Sequence, residues 1–238
     1  MRIIDAINKK KKDSPNARTP IIACLGDSIT QGCFELCYKD GDIQSTYDSC
    51  EGYPEKLKRI LALLYPDVPV SIINAGIEGT TAELGYKILE RDILPLKPDL
   101  LIVCYGLNDN GQEEKGLLSY KKNLKQIFIL AHQFDIEVIF MTPNMMNTDS
   151  SNAPKGLEDW AEVFARRQNE GIFDAYMKMA KEACREENVR ICDCYAIWKR
   201  MYECGVDTTR LLANGMNHPV REMHELFAWQ IVHIILGD

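Results

Sequence analysis

The chain has 238 residues, 46% of them hydrophobic and 26% charged, and carries a net charge of −7. That composition supports a sizeable core in one large domain or two small ones. The acidic balance argues against a nucleic-acid partner, which needs clustered Lys and Arg, and the one basic cluster, Lys9 to Lys12, reads as a solvated face. No opening stretch resembles a signal peptide and no apolar run is long enough to span a bilayer, so no membrane partner is expected and a cytoplasmic location is the default.

Residues 1–19 read as an N-terminal arm, a short helix or extended segment, leading into a single domain over 20–238. The apolar run Ile21 to Leu25 stops at Gly26-Asp27-Ser28, as a buried strand does when it meets a turn. Residues 33–52 are rich in Gly, Asp, Ser and Cys, show no clear period and read as a loop long enough to be functional. A helix is predicted over 53–65, with Pro54 in its first turn where a missing N–H costs little.

A second strand is predicted at 68–74 and ends at Asn74-Ala75-Gly76. A turn and a helix from about Ala82 to Leu94 follow. The third strand, 99–105, is almost wholly apolar, as a strand covered on both faces is, and ends at Gly106-Leu107-Asn108-Asp109. An amphipathic helix over 117–133 and a strand over 136–142 come next. Residues 144–165 are polar and irregular at first, then carry Trp160 and Phe164; a helix from about Arg166 to Glu187 leads to a fifth strand at 188–194. A helix from Trp198 to Cys204, a loop over 205–221 and a last helix from Glu222 to Ile235 complete the chain. Five apolar strands alternating with helices imply an α/β fold, a three-layer α/β/α sandwich. Its parallel sheet is expected to be flavodoxin-like, with strand order 2-1-3-4-5.

Of nine cysteines, Cys24, Cys104, Cys192 and Cys194 fit as small core residues. Cys33, Cys37 and Cys50 share one segment and offer either a disulfide or part of a metal site. No Cys-x-x-Cys pair exists, however, and no metal or other cofactor is expected. Reduced thiols suit a cytosolic protein.

The turns after the first three strands fall on one edge of such a sheet, where ligands bind. They bring Ser28, the glycines Gly76 and Gly79, and Asn108 with Asp109. A serine hydroxyl needs a neighbouring base to act as a nucleophile. Of His132, His218, His224 and His233, only His218 lies in a turn-rich loop, followed by Pro219. The Ser28 amide, the Gly79 amide and the Asn108 side chain are candidate donors to a developing oxyanion. Asp27 reads as a turn-bonding residue, Asp109 as support for the Asn108 loop, and Asn217 as a loop-fixing residue. Asn74 fits a strand-end turn or a place in the site. Trp160 and Phe164 fit either as core residues of a helix or as a pocket wall.

Gly26-Asp27-Ser28-Ile29-Thr30, Gly79 in Asn-Ala-Gly-Ile-Glu-Gly, Gly106-Leu107-Asn108-Asp109 and His218-Pro219 together resemble the four blocks of the SGNH, or GDSL-type, hydrolases, in the family's order over residues 26–219. The resemblance implies Ser28 as nucleophile, His218 as base, and the Ser28 amide, Gly79 and Asn108 as oxyanion hole. It implies small-molecule acyl esters as substrates, with acetyl groups on carbohydrate favoured because no apolar channel or lid is evident. Oligomeric state is left open.

One position departs from the family pattern. The Asp usually found three residues before the His is replaced by Gly215. A backbone carbonyl near Gly215 accepting the Nδ1–H, which would give a Ser-His dyad, is the preferred arrangement, since a carbonyl can also set the tautomer. The alternatives are an acid folding back, such as Asp207, or a weakly active protein. The missing Asp also motivates a different class, a binding or scaffold protein that kept the fold. A flavodoxin-like receiver or cofactor-binding domain would share architecture alone.

Overall fold

The computed structural model describes residues 2–237. Helix α1 (Ile3–Lys12) precedes strand β1 (Ile21–Gly26), and a one-turn helix, α2 (Ser28–Gln31), follows directly. Strands β2 (Cys33–Lys39) and β3 (Asp42–Tyr47) form a hairpin. Then come α3 (Tyr53–Leu64), β4 (Ser71–Gly76), α4 (Ala82–Ile88), β5 (Leu100–Cys104), α5 (Leu117–Gln133) and β6 (Glu137–Met141). The last third holds α6 (Glu158–Asn169), α7 (Ile172–Glu186), β7 (Arg190–Cys192), α8 (Cys194–Glu203) and α9 (Met223–Leu236).

Strands β4-β1-β5-β6-β7 form one parallel sheet. Counted in chain order these five give 2-1-3-4-5, the order expected. Strand β5 is buried along its whole length because helices cover the sheet, α3 packing against α9 and α5 packing with α4 and α7. Ile3 and Ile7 of α1 belong to the same core. No helix among the described residues is long and apolar enough to cross a membrane.

Gly26 pairs with Gly76 on one side and with Cys104 on the other, so β1, β4 and β5 end level and release their loops at one edge. Close packing there requires glycine. A Cβ on Gly26 would lie 2.1 Å from Thr30 Oγ1 and 2.7 Å from the Cys104 carbonyl oxygen.

Two segments differ from expectation. Residues 33–47, read as loop, are the β2–β3 hairpin, turned at Asp40-Gly41 with φ of 55° and 88°. An Asp-Gly pair tolerates such positive φ, which two-residue hairpin turns require. The alternating pattern is hidden because the register shifts between Cys33 and Leu36. Cys33 faces Tyr47 and Leu36 faces Ser45, which leaves Phe34 and Glu35 opposite Thr46 alone, a β-bulge. The single helix expected over 166–187 is instead two. Helix α6 starts at Glu158, within the segment read as irregular, and the left-handed Gly171, with φ 78°, separates it from α7.

Candidate active site

Ser28 is the first residue of α2. Asp27 caps that turn, its Oδ1 accepting the Ile29 amide at 3.0 Å. The Ser28 hydroxyl is buried and lies 2.9 Å from His218 Nε2. On the far side of the ring, His218 Nδ1 lies 3.1 Å from the Phe34 carbonyl oxygen. A carbonyl can only accept, so Nδ1 carries the proton and Nε2 presents its lone pair to the serine O–H. Burial pushes the His218 pKa down to about 4, although the Phe34 bond and the nearby Glu78 and Glu35 charges oppose the shift. The ring is therefore neutral, in the form that can accept a proton, at pH 7.

The acceptor for His218 differs from that expected. It is neither a carbonyl near Gly215 nor Asp207, but a carbonyl 184 residues away, at the bulge of the hairpin. Asp207 lies out in solvent and accepts from the Arg210 amide at 3.3 Å. Gly215 has φ 63°, and a Cβ there would lie 2.1 Å from the Asn152 carbonyl oxygen. The turn that carries the base has no room for the expected Asp.

Asn214 shapes that turn. Its Oδ1 accepts the amides of Met216, Asn217 and His218 at 3.0, 2.9 and 2.9 Å. Its Nδ2 donates to Asn217 Oδ1 at 2.8 Å, and Asn144 Nδ2 holds the Asn217 carbonyl at 2.8 Å. Neither Asn214 nor Asn144 was singled out from the sequence, although Asn214-Gly215 is a strong turn pair.

The three candidate donors lie around the same space. The Ser28 amide, first in its helical turn, has no intrahelical acceptor. The flanking amides of Glu78 and Thr80 donate to Gln31 Oε1 and the Ile77 carbonyl, whereas the Gly79 amide forms no such bond among the described residues. Asn108 donates through Nδ2 to the Thr80 carbonyl at 2.8 Å, which fixes the amide and leaves its second hydrogen for the cavity. Asp109 ties the loops together, its Oδ1 accepting the Ala82 amide at 3.0 Å. Asn74 serves its own turn, bonding the Thr30 carbonyl and the Gly76 amide.

Asp27 and Asp109 are both buried, and each has one carboxyl oxygen without a partner. Burial pushes both up to about 7, and the proximity of Asp109 adds to the shift at Asp27.

Ser28, Gly79, Asn108, Asn217 and His218 line a cavity of about 350 Å³. Leu36, Ile43 and Ser45 of the hairpin form one wall, and Trp160 and Phe164 of α6 another. A second hollow of about 380 Å³ shares Asn108, Trp160 and Phe164 and runs on to Val163 and Arg167. Trp160 is 50% exposed. Glu78 fastens the hairpin wall. It accepts from Ser45 Oγ at 2.7 Å, from the Tyr47 hydroxyl and from Cys33 Sγ at 3.7 Å. Burial raises its pKa, yet the Tyr47 and Ser45 hydroxyls more than offset that and keep the carboxyl below its ordinary value.

The other histidines lie elsewhere. His132 and His233 sit in the last turns of α5 and α9. His224 is buried behind the hairpin, its Nδ1 accepting the Tyr53 amide at 3.0 Å. All nine cysteines are free thiols; Cys33 is buried, while Cys37 and Cys50 are exposed.

Residues 24–226 match the profile of the GDSL-like lipase/acylhydrolase family. The chain belongs to that family. An acetylxylan esterase from Geobacillus stearothermophilus is 26% identical over 101 residues, 39% of this chain and 46% of that protein, so the match spans under half of that relative's length. In structure the family member superimposes on a catalytic mutant of an acetylxylan esterase from Geobacillus stearothermophilus with a TM-score of 0.67. That pair is 18% identical and covers 92% of this chain and 95% of the other. A lipase/acylhydrolase from Enterococcus faecalis gives a TM-score of 0.64 at 24% identity, covering 91% and 95%. Identities this low establish a shared fold.

Proposed function

We propose that this protein hydrolyses small acyl esters through a Ser28–His218 pair, and that acetyl groups carried on carbohydrate are its substrate class. The observation that carries the first part is the run of contacts from Ser28 Oγ to His218 Nε2 at 2.9 Å and from Nδ1 to the Phe34 carbonyl at 3.1 Å. His218 takes the serine proton as Oγ attacks the ester carbonyl. The tetrahedral oxyanion is met by the Ser28 and Gly79 amides and by Asn108 Nδ2. The imidazolium then returns its proton to the departing alcohol, leaving an acyl group on Ser28. A water, deprotonated by His218, attacks that acyl group and restores the serine.

The carbohydrate part rests on the walls of the site and on relatives. The curated relative and the superimposed mutant structure are both of acetylxylan esterase from Geobacillus stearothermophilus. Trp160, half exposed, lines both hollows, which suits an alcohol larger than one ring. A flat aromatic suits the C–H face of a sugar ring.

The test uses a fluorophosphonate probe and p-nitrophenyl acetate. The unmodified protein is expected to be labelled and to turn over; Ser28→Ala is expected to lose labelling and about a thousandfold or more in kcat. Labelling or turnover that survives the substitution overturns the assignment. For the substrate class, Trp160→Ala is expected to raise KM for an acetylated xylo-oligosaccharide by about three- to tenfold, the scale of an aromatic contact. An equal rise for p-nitrophenyl acetate would deny the sugar-stacking role.

A further inference from the structure

We infer that Arg221 is a positioning residue, clamping the β-bulge so that the Phe34 carbonyl stays on His218 Nδ1. The inference rests on the Ser28–His218 reading and concerns how that pair is held.

A bulge removes residues from the regular ladder, and here it frees the Phe34 carbonyl to face the histidine ring instead of a partner strand. A freed carbonyl on a two-stranded hairpin needs an external hold, because such a hairpin is marginal by itself. Arg221 supplies one. It lies three residues after His218, and its guanidinium grips the residue after Phe34: Nη1 to Glu35 Oε1 at 2.5 Å and Nη2 to Glu35 Oε2 at 3.2 Å. Its Nε reaches Asp48 Oδ2, just beyond β3, at 3.4 Å. Its Cζ lies 4.3 Å from the centroid of the Phe34 ring. One side chain thus joins the histidine loop to both arms of the hairpin.

The Phe34 ring is fully buried, and the His224 ring packs against it at 5.0 Å. Phe34 therefore contacts Arg221 and His224, two side chains of the segment that leaves His218. A displacement of Phe34 would move its carbonyl off Nδ1 and release the proton to either nitrogen. A planar, forked cation is what this geometry needs, since a lysine could neither bridge two carboxylate oxygens in parallel nor stack flat on a ring. In a triad, a carboxylate orients the imidazole by contact and charge. Here orientation comes from a carbonyl, and the charges stand one step back, on Arg221, Glu35 and Asp48.

The experiment compares the unmodified protein with Arg221→Ala, Arg221→Lys and Glu35→Gln. It measures kcat and KM on p-nitrophenyl acetate and reads the His218 tautomer from ¹⁵N-histidine NMR. The unmodified protein should show the Nδ1–H form alone. Arg221→Ala should mix tautomers and lower kcat by about tenfold to a hundredfold, the scale of a small misplacement of a reacting group, with KM changed by less than about threefold. Arg221→Lys should recover only part of that loss, and Glu35→Gln, which keeps one acceptor, should lose about threefold to tenfold. If Arg221→Ala does not fold, the lysine and glutamine variants decide by the same two readouts. A single Nδ1–H tautomer and unmodified kcat in the variants that fold overturn the clamp. Ser28→Ala, run alongside, separates the cases: if it still turns over, the Ser28–His218 reading itself has failed.

Discussion

The site is built from two regions of opposite character. Three loops leave the level ends of β1, β4 and β5 and deliver Ser28, Gly79 and Asn108 through short turns on a buried sheet. The β2–β3 hairpin belongs to no large sheet and delivers a backbone oxygen, the Phe34 carbonyl. The first region shows how a strand end fixes a side chain by residue type. The second shows how an inserted element fixes an atom that every residue type has.

The largest expected effect probes where the two regions meet. Gly215→Asp places the family's usual acid in the sequence, but φ of 63° and the Asn152 carbonyl 2.1 Å from the new Cβ forbid its geometry. The substitution is expected to lower both thermal stability and kcat, kcat by about a hundredfold or more through displacement of His218. A gain in kcat would show that an acid fits after all and that the carbonyl is a poor substitute for it.

Next is the pH dependence. The His218 pKa of about 4 means that kcat/KM should hold on the acid side past the ordinary histidine range and fall only near pH 4. A pH–rate profile breaking at 6 to 7 would place the ring in water and deny the hairpin its shielding role. The same depressed pKa contributes stability that is present above about pH 6.5 and is lost as pH falls toward 4.

Asp27 acts in the reverse direction. Its folded pKa of about 7 lies above the ordinary aspartate value of 3.8, so its contribution is present at low pH and lost as pH rises through 7. Asp27→Asn keeps an acceptor for the Ile29 amide and should raise the Tm by several degrees at pH 8, with little change at pH 4. Thermal melts across that range check it, and an equal shift at both ends would mean the carboxyl titrates normally. The smallest effect is expected at Asp207, whose replacement by Asn should leave kcat within about twofold, far from the ten-thousandfold loss of a neutralised triad acid.

What could be read from the sequence follows the same divide. Apolar runs broken by Gly-Asp-Ser, Asn-Ala-Gly and Gly-Leu-Asn-Asp located the three strand ends, because burial on both faces leaves a pattern in residue type. Alternation of strands and helices gave the parallel sheet, and the flavodoxin-like pattern of doubly wound folds gave its order. His218 stood out because its neighbours are turn-formers. The hairpin escaped because its bulge breaks the two-residue period, although Asp40-Gly41 was there to mark it. Phe34 escaped for a deeper reason: its ring is ordinary core, and its role lies in a main-chain atom. Trp160 was seen, with a helix core as one of its two readings, but the break between α6 and α7 was not, since Gly171 ends α6 by conformation in a stretch otherwise rich in helix formers.

The bulge at Phe34 and Glu35 places part of the site's specification in chain length. Any residue at position 34 would offer a carbonyl, but only the residue count of β2 puts that position in the bulge, and the buried Phe34 ring then holds it there. Removing one residue from β2 between Cys33 and Leu36 would erase the bulge and return that oxygen to the ladder, while Leu36 and the residues after it kept their partners on β3. In this molecule the spacing between Ser28 and the Asp40-Gly41 turn is as much a part of the machinery as any single residue between them.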